Sequence, residues 1–265
     1  MQKIIENVMV FHIKEAKKME AYAKTLKGDL QDINGDAFVT ESVGDYLLLM
    51  VSDGVGGKKE IPNVGAIANS IIRDFLERAI ENNPDITIGE IDNTLDSAFY
   101  AASRAFRVLN AVDPRYEAIF ASMACMVIST VSHEMTFRTV GGCEVQLWKN
   151  GNFMRMNDLQ TEAYEDLQKG KITEAEYYNQ PNRSLLTSAF GQIDKIRTSS
   201  MRGRVSEGDI YFLLTDGIFK YLTPNEMISE VAKADKVREG VDNVIKKVEC
   251  FEGRDNATMI CLFIN

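Results

Sequence analysis

Apolar and polar positions change period several times along this chain, and each change marks an element. VMVFHI, residues 8–13, predicts a first strand, and residues 14–27, rich in Lys, Glu and Ala, predict a short helix or an irregular arm. DLQDINGD is a loop by composition. The apolar run from Tyr46 to Val51 predicts a buried strand stopped by Ser52, Asp53 and Gly54. A hairpin turning near Gly44-Asp45 would set Asp36 and Asp53 at the edges of adjacent strands. The three glycines of DGVGGKK exclude regular structure there. Val64, Ile67, Ala68, Ile71, Ile72, Phe75, Leu76 and Ile80 then recur at helical spacing, which predicts a helix over 62–82 ended by Asn82, Asn83 and Pro84. Ile91, Leu95, Phe99 and Phe106 line a second helix over 88–109, packed antiparallel to the first.

Alternation follows. ASMACMVISTV, HEMTFRTVGG and EVQLWKNGNFMRM predict three strands with tight turns, and Asn150-Gly151 carries a hairpin signal. Residues 157–182 are polar, with short helical pieces, and read as an insertion or flap. DKIRTSSMRGRV and IYFLLTDG add strands, 224–249 holds two amphipathic helical stretches, and ATMICLFI is a core strand. Strands joined mostly by hairpins argue for antiparallel sheets. Two such sheets with helices on both outer faces would bury every apolar face, giving an α+β chain in four α-β-β-α layers.

Composition narrows the function classes. A chain of 265 residues fits one large domain. With 30 Lys and Arg against 39 Asp and Glu, the net charge is -9, which repels nucleic-acid phosphates but suits bound divalent cations. No apolar run approaches the roughly 18 residues of a membrane span. The N-terminus lacks the layout of a signal peptide, so a cytoplasmic protein with neither nucleic-acid nor membrane partners is expected. Cys125, Cys143, Cys250 and Cys261 form no CxxC pair, and with only His12 and His133 beside them a zinc cluster is not expected.

The candidate chemistry lies in aspartates at strand boundaries. Asp53 and Asp216 each follow an apolar strand and precede a glycine; Asp36 and Asp255 each precede a strand. Any single Asp-Gly pair is an ordinary turn. Four carboxylates at strand ends can instead converge on hard divalent cations. Without metal they would repel one another and their pKa values would rise. Two metals about 3.5–4 Å apart can polarise a phosphoryl oxygen and activate water, so no nucleophilic side chain is needed. No GxSxG elbow, Walker loop or GxGxxG fingerprint competes with this reading.

These residues carry a resemblance. Asn34-Gly35-Asp36, Asp53-Gly54-Val55-Gly56-Gly57, LLTDG with Asp216, and Gly253-Arg254-Asp255-Asn256, with the flap pieces Ile172-Thr173-Glu174 and LLTSAFG, follow in the order of the metal-dependent serine/threonine phosphatases of the protein phosphatase type two-C family. The chain resembles their compact bacterial members over residues 28–265. The resemblance implies a single phosphatase-like domain over 1–265, with a flap-like insertion at about 157–190. It also implies two Mn2+ or Mg2+ ions, with Asp53 bridging them and Asp36, Asp216, Asp255 and the Gly54 carbonyl as further ligands. A hydroxide bridging the ions, held through Asp53 and Asp36, would attack the phosphorus of a phosphoprotein substrate, with Asn256 in support.

The departures are specific. The family's phosphate-clamping arginine is replaced by Gln31, which supplies no charge. The central Gly-Asp-Ser-Arg motif reads Gly141-Gly142-Cys143-Glu144, so Gly142 offers no ligand and a third metal site is expected to be weak or absent. Lys58 and Lys59 could add charge beside the glycine loop. The alternative reading is a catalytically weakened, phosphatase-like binding or signalling module.

Overall fold

The computed structural model describes residues 6–11, 19–29, 31–57, 63–177, 179–192 and 195–265, the first of these as backbone only. The elements in chain order are β1 (Glu6–Phe11), β2 (Met19–Leu26), β3 (Ala37–Val43), β4 (Tyr46–Val55), α1 (Val64–Asn82), α2 (Ile88–Val112), β5 (Phe120–Ser129), β6 (Glu134–Val140), β7 (Glu144–Lys149), β8 (Asn152–Arg155), α3 (Glu162–Gln168), α4 (Glu174–Tyr177), β9 (Ser199–Arg204), β10 (Ile210–Leu214), α5 (Asp216–Phe219), α6 (Pro224–Ala232), α7 (Val237–Glu249) and β11 (Ala257–Ile264).

The strands form two sheets, β1-β2-β11-β10-β7-β8 and β3-β4-β5-β6-β9, and every pairing is antiparallel. Alternation along each central strand sends side chains into two different cores. From β4, Leu47, Leu49 and Val51 point between the sheets, while Leu48 and Met50 meet α1 and α2. From β11, Ile260 and Leu262 face inward, while Met259 and Cys261 meet α6 and α7. Strands buried on both faces must be continuously apolar, which is why these runs were legible. The result is the expected four-layer α-β-β-α sandwich.

Three expectations need correction. Residues 19–26 are strand β2, not helix or arm, and residues 14–18 lie outside the described residues. Ala, Lys and Glu favour a helix locally, but in the strand Met19, Ala21 and Ala23 reach the inter-sheet core and Tyr22 and Leu26 the outer one. Pairing with β1 and β11 on both sides decides the outcome. The EVQLWKNGNFMRM segment is two strands, β7 and β8, because Asn150 and Gly151 both take positive φ in the turn. Finally, β4 runs through Asp53 to Val55 instead of stopping at Ser52.

The polar stretch expected as a flap carries α3 and α4, whose Leu159, Ala163, Tyr164 and Tyr177 make a small core of their own. Arg155 is one of its ties to the sheet. That guanidinium pairs with buried Glu144 at 3.1 Å and lies 5.2 Å from the Tyr164 ring centre and 5.5 Å from that of Tyr177. Cys125, Cys143 and Cys261 are buried and Cys250 exposed, all as free thiols. Among the described residues no helix is long and apolar enough to cross a membrane.

Candidate metal centre

Four segments bring the site together, and glycine makes their approach possible. In the Asn34-Gly35-Asp36 turn, Asn34 Oδ1 accepts from the Asp36 amide at 3.0 Å. A Cβ on Gly35 would sit 2.0 Å from the Gly54 carbonyl oxygen, so the early loop rests directly on the Asp53-Gly54 segment. Asn63 binds both to α1: its Oδ1 caps the helix through the Ala66 amide, and its Nδ2 donates to the Asn34 and Asp36 carbonyls at 2.6 and 2.7 Å. On the other sheet, Gly217 lies where a Cβ would meet the Asn256 carbonyl oxygen at 1.8 Å, which sets Asp216 beside Asp255.

Asp53, Asp216 and Asp255 line one cleft of about 300 Å³, with Lys220, Gly142, Phe120, Leu185 and Leu186. Asp36 does not line the cleft; it is 3% exposed and within electrostatic reach of the other three. Its Oδ2 accepts from Thr215 Oγ1 at 2.7 Å, and its Oδ1 is enclosed without a partner. Burial pushes the Asp36 carboxyl up to about 7; hydrogen bonds from Thr215 and Thr258 oppose the rise, and the charges of Asp216 and Asp255 add to it. Burial, and then repulsion from Asp216, Asp36 and Asp255, drives Asp53 well above the usual carboxylate range. Burial likewise raises the Cys143 thiol, and the charges of Asp53, Asp36 and Asp216 reinforce it.

Asp255 is held differently. Its Oδ1 accepts from Gln31 Nε2 and the Asn256 amide, both at 2.9 Å, and Gln31 Oε1 accepts from Asn256 Nδ2 at 3.0 Å. Asn256 Oδ1 in turn receives the Gly28 amide at 3.0 Å, so Asn256 steadies the Gln31 loop. Lys220 Nζ stands 2.8 Å from both Asp216 Oδ2 and Asp255 Oδ2. Burial alone would lower the Lys220 pKa, but the two carboxylates outweigh it and keep the ammonium charged.

Sequence reasoning named the four aspartates, Gly54 and Asn256. It missed Thr215, Asn63 and Lys220. The last follows from local geometry: the one-turn helix α5 closes with the Lys220 amide on the Asp216 carbonyl, placing residue 220 one turn above residue 216. Lys58 and Lys59 lie outside the described residues. Among the described residues, no three His, Cys, Asp or Glu side chains are drawn into ligating distance of one point. The donor set nevertheless fits a hard divalent cation: all-oxygen, acidic, and with an enclosed carboxylate oxygen lacking any donor.

The pKa shifts have a measurable consequence. The folded chain holds the Asp36 proton up to about 7, whereas an ordinary aspartate releases it near 3.8. That stabilisation is complete below the lower value and is lost as pH rises through the upper one. In chelator, the melting temperature is expected to fall by several degrees between pH 6 and 8, at ~2–4 °C per kcal/mol for a chain of this size. Manganese should raise it more at pH 8 than at pH 6. Scanning fluorimetry with equal manganese effects at both pH values would contradict this.

No family model matches the chain. Among curated proteins, it is 20% identical to the serine/threonine phosphatase stp of Listeria welshimeri, over 91% of this chain and 94% of that protein. It is 24% identical to the serine/threonine protein phosphatase PstP of Mycobacterium tuberculosis, over 80% of this chain and 39% of that longer protein. Solved structures with the same fold include the S. agalactiae serine/threonine phosphatase, with a TM-score of 0.82 at 19% identity, covering 93% of this chain and 100% of that one. The catalytic domain of PstP in complex with two manganese ions superposes with a TM-score of 0.76 at 18% identity, covering 93% and 98%.

Proposed function

We infer that this chain, a member of the protein phosphatase type two-C family of metal-dependent serine/threonine phosphatases, hydrolyses phosphoserine and phosphothreonine esters of cytoplasmic proteins. The observation that supports this best is the convergence of Asp53, Asp216 and Asp255 on one cleft, with the buried Asp36, one oxygen unpartnered, within electrostatic reach of all three. In this reading residues 1–265 act as one domain, with 157–190 as its flap. Asp36, Asp53, Asp216, Asp255 and the Gly54 carbonyl would hold two Mn2+ or Mg2+ ions. Bound there, such ions activate water and screen charge on the phosphoryl oxygens.

The chain's own residues do the rest. Leu185, Leu186 and Phe120 form an apolar wall beside the carboxylates and limit water at the reacting phosphate. Gly142 adds no ligand to the cleft, and we propose no tight third ion. Thr215 fixes the Asp36 carboxylate, and Asn256 fixes Asp255 by its amide and the Gln31 loop by its side chain.

Hydrolysis of a phosphothreonine peptide, assayed with manganese and with chelator, tests the proposal. Turnover is expected with manganese only. Gln31→Arg should lower KM about tenfold with a smaller change in kcat, because a guanidinium offers a charge-assisted, bidentate grip on phosphate. An unchanged KM would show that position 31 does not reach the substrate. The second reading, a phosphopeptide-binding module, is favoured by Gln31 sitting on Asp255 in place of a phosphate-facing cation. Phosphopeptide binding without manganese-dependent turnover would put that reading first.

A further inference from the structure

The four aspartates are not equally in need of a cation. Asp36 Oδ1 is enclosed with no partner, and no hydrogen bond or ion pair to the Asp53 carboxylate is formed among the described residues. Asp255 has both oxygens engaged, Oδ1 by Gln31 Nε2 and the Asn256 amide, Oδ2 by Lys220 Nζ. Asp216 Oδ2 shares that ammonium at 2.8 Å. Among the described residues, Lys220 thus makes contact with the Asp216–Asp255 half of the cluster and acts on Asp53 only through space.

We propose that Lys220 is a tethered competitor cation that makes the two metal positions unequal, a tight one at Asp36 and Asp53 and a weaker one at Asp216 and Asp255 that fills only when Lys220 swings aside. The inference rests on the metal-site reading above. An ion entering the second position competes with Lys220 for Oδ2 of both carboxylates. An ammonium is a compact point charge on a flexible four-carbon stem, able to leave as a guanidinium fork is not. It retains 26% exposure on the cleft side, so displacement needs no opening of the core. An ion drawn to these oxygens also meets the repulsion of the ammonium already beside them. The apparent affinity of the second ion therefore falls by the fraction of time the oxygens are free. If Lys220 holds them about nine-tenths of the time, the loss is roughly tenfold. Turnover would then follow free divalent-ion concentration over a range set by residue 220, while the first ion stays bound.

Calorimetric titration of the full chain with manganese chloride alone, without substrate, reads this directly. Wild type should show two classes of site separated by about tenfold or more. Lys220→Met should tighten the weak class by about that factor and leave the tight class unchanged. If Lys220→Met fails to fold, judged by circular dichroism, Lys220→Gln makes the same comparison with a neutral polar chain one atom shorter. Asp36→Asn should remove the tight class. Two equal classes in wild type, or a weak class unmoved in the folded variant, overturns the proposal while leaving the metal-site reading intact. No manganese binding by wild type overturns both.

Discussion

Asp53→Asn is expected to abolish manganese-dependent hydrolysis and, at the same time, to raise the melting temperature of the metal-free protein. The two effects share one cause. Asp53 sits within β4 opposite Ser122 of β5, and burial and three neighbouring carboxylates oppose its ionisation. An uncompensated buried charge is costly, and an amide of the same shape removes both the charge and the repulsion. In chelator the variant should therefore melt a few degrees higher, at ~2–4 °C per kcal/mol. With manganese the order reverses, because wild type gains ligand-linked stability that the variant has lost. Turnover should fall about a thousandfold or more, the scale of the several kcal/mol that a bound divalent ion contributes to a phosphoryl transition state. A merely structural Asp53 would give the opposite pattern, with lower stability in chelator and partial activity. Parallel melting curves and initial rates on a phosphothreonine peptide decide between them.

The second large effect is expected at Gly35. Alanine there would place a methyl carbon 2.0 Å from the Gly54 carbonyl oxygen, well inside contact distance, with backbone on both sides. Neither partner can yield cheaply: Gly54 is paired to Ala121 in the sheet, and the Gly35 carbonyl accepts from the Gly65 amide at the start of α1. Gly35→Ala should cost about 3 kcal/mol or more, at the upper end for overpacking. It should also destroy metal binding, since Asp36 and the Gly54 carbonyl move together. Gly151→Ala is the control. That residue has φ +78 in the β7–β8 turn, but nothing lies within 4 Å of its Cβ position. Its cost should be only the left-handed backbone penalty of about 1–2 kcal/mol, with activity unchanged. Urea midpoints at constant slope measure both. Equal destabilisation by the two variants would mean that contact between the loops is not what requires glycine at position 35.

How much was legible in the sequence depended on whether a residue's role was local. Helices α1 and α2 declared themselves by period, and β4, β10 and β11 by unbroken apolar runs. Strand β2 did not, because MEAYAKTL has helix-forming composition and its extended state comes from neighbours far away in the chain, with Ala23 opposite Ile260. The four aspartates were visible because each stands beside a glycine or asparagine that a tight approach requires. What holds them was not visible. Thr215 reads as an ordinary strand-end threonine until its hydroxyl meets Asp36, 179 positions away. Gln31 reads as a missing arginine, yet in the fold it is bonded to Asp255 and Asn256. Lys220 reads as a surface lysine and becomes a partner of two carboxylates only because α5 ends after one turn.

The placement of β11 between β2 and β10 also bears on synthesis. Thr258 pairs with Thr25, so the middle of one sheet is joined by residues separated by most of the chain. A ribosome-bound fragment ending before residue 257 lacks that middle strand and leaves apolar faces of β2 and β10 uncovered. Asp255 is translated immediately before it. A nascent chain therefore cannot bring Asp255 to the other three aspartates before that strand is made. Catalytic competence would arrive in one step with the closing strand, and an incomplete translation product would be a target for chaperones and proteases instead of a partial enzyme.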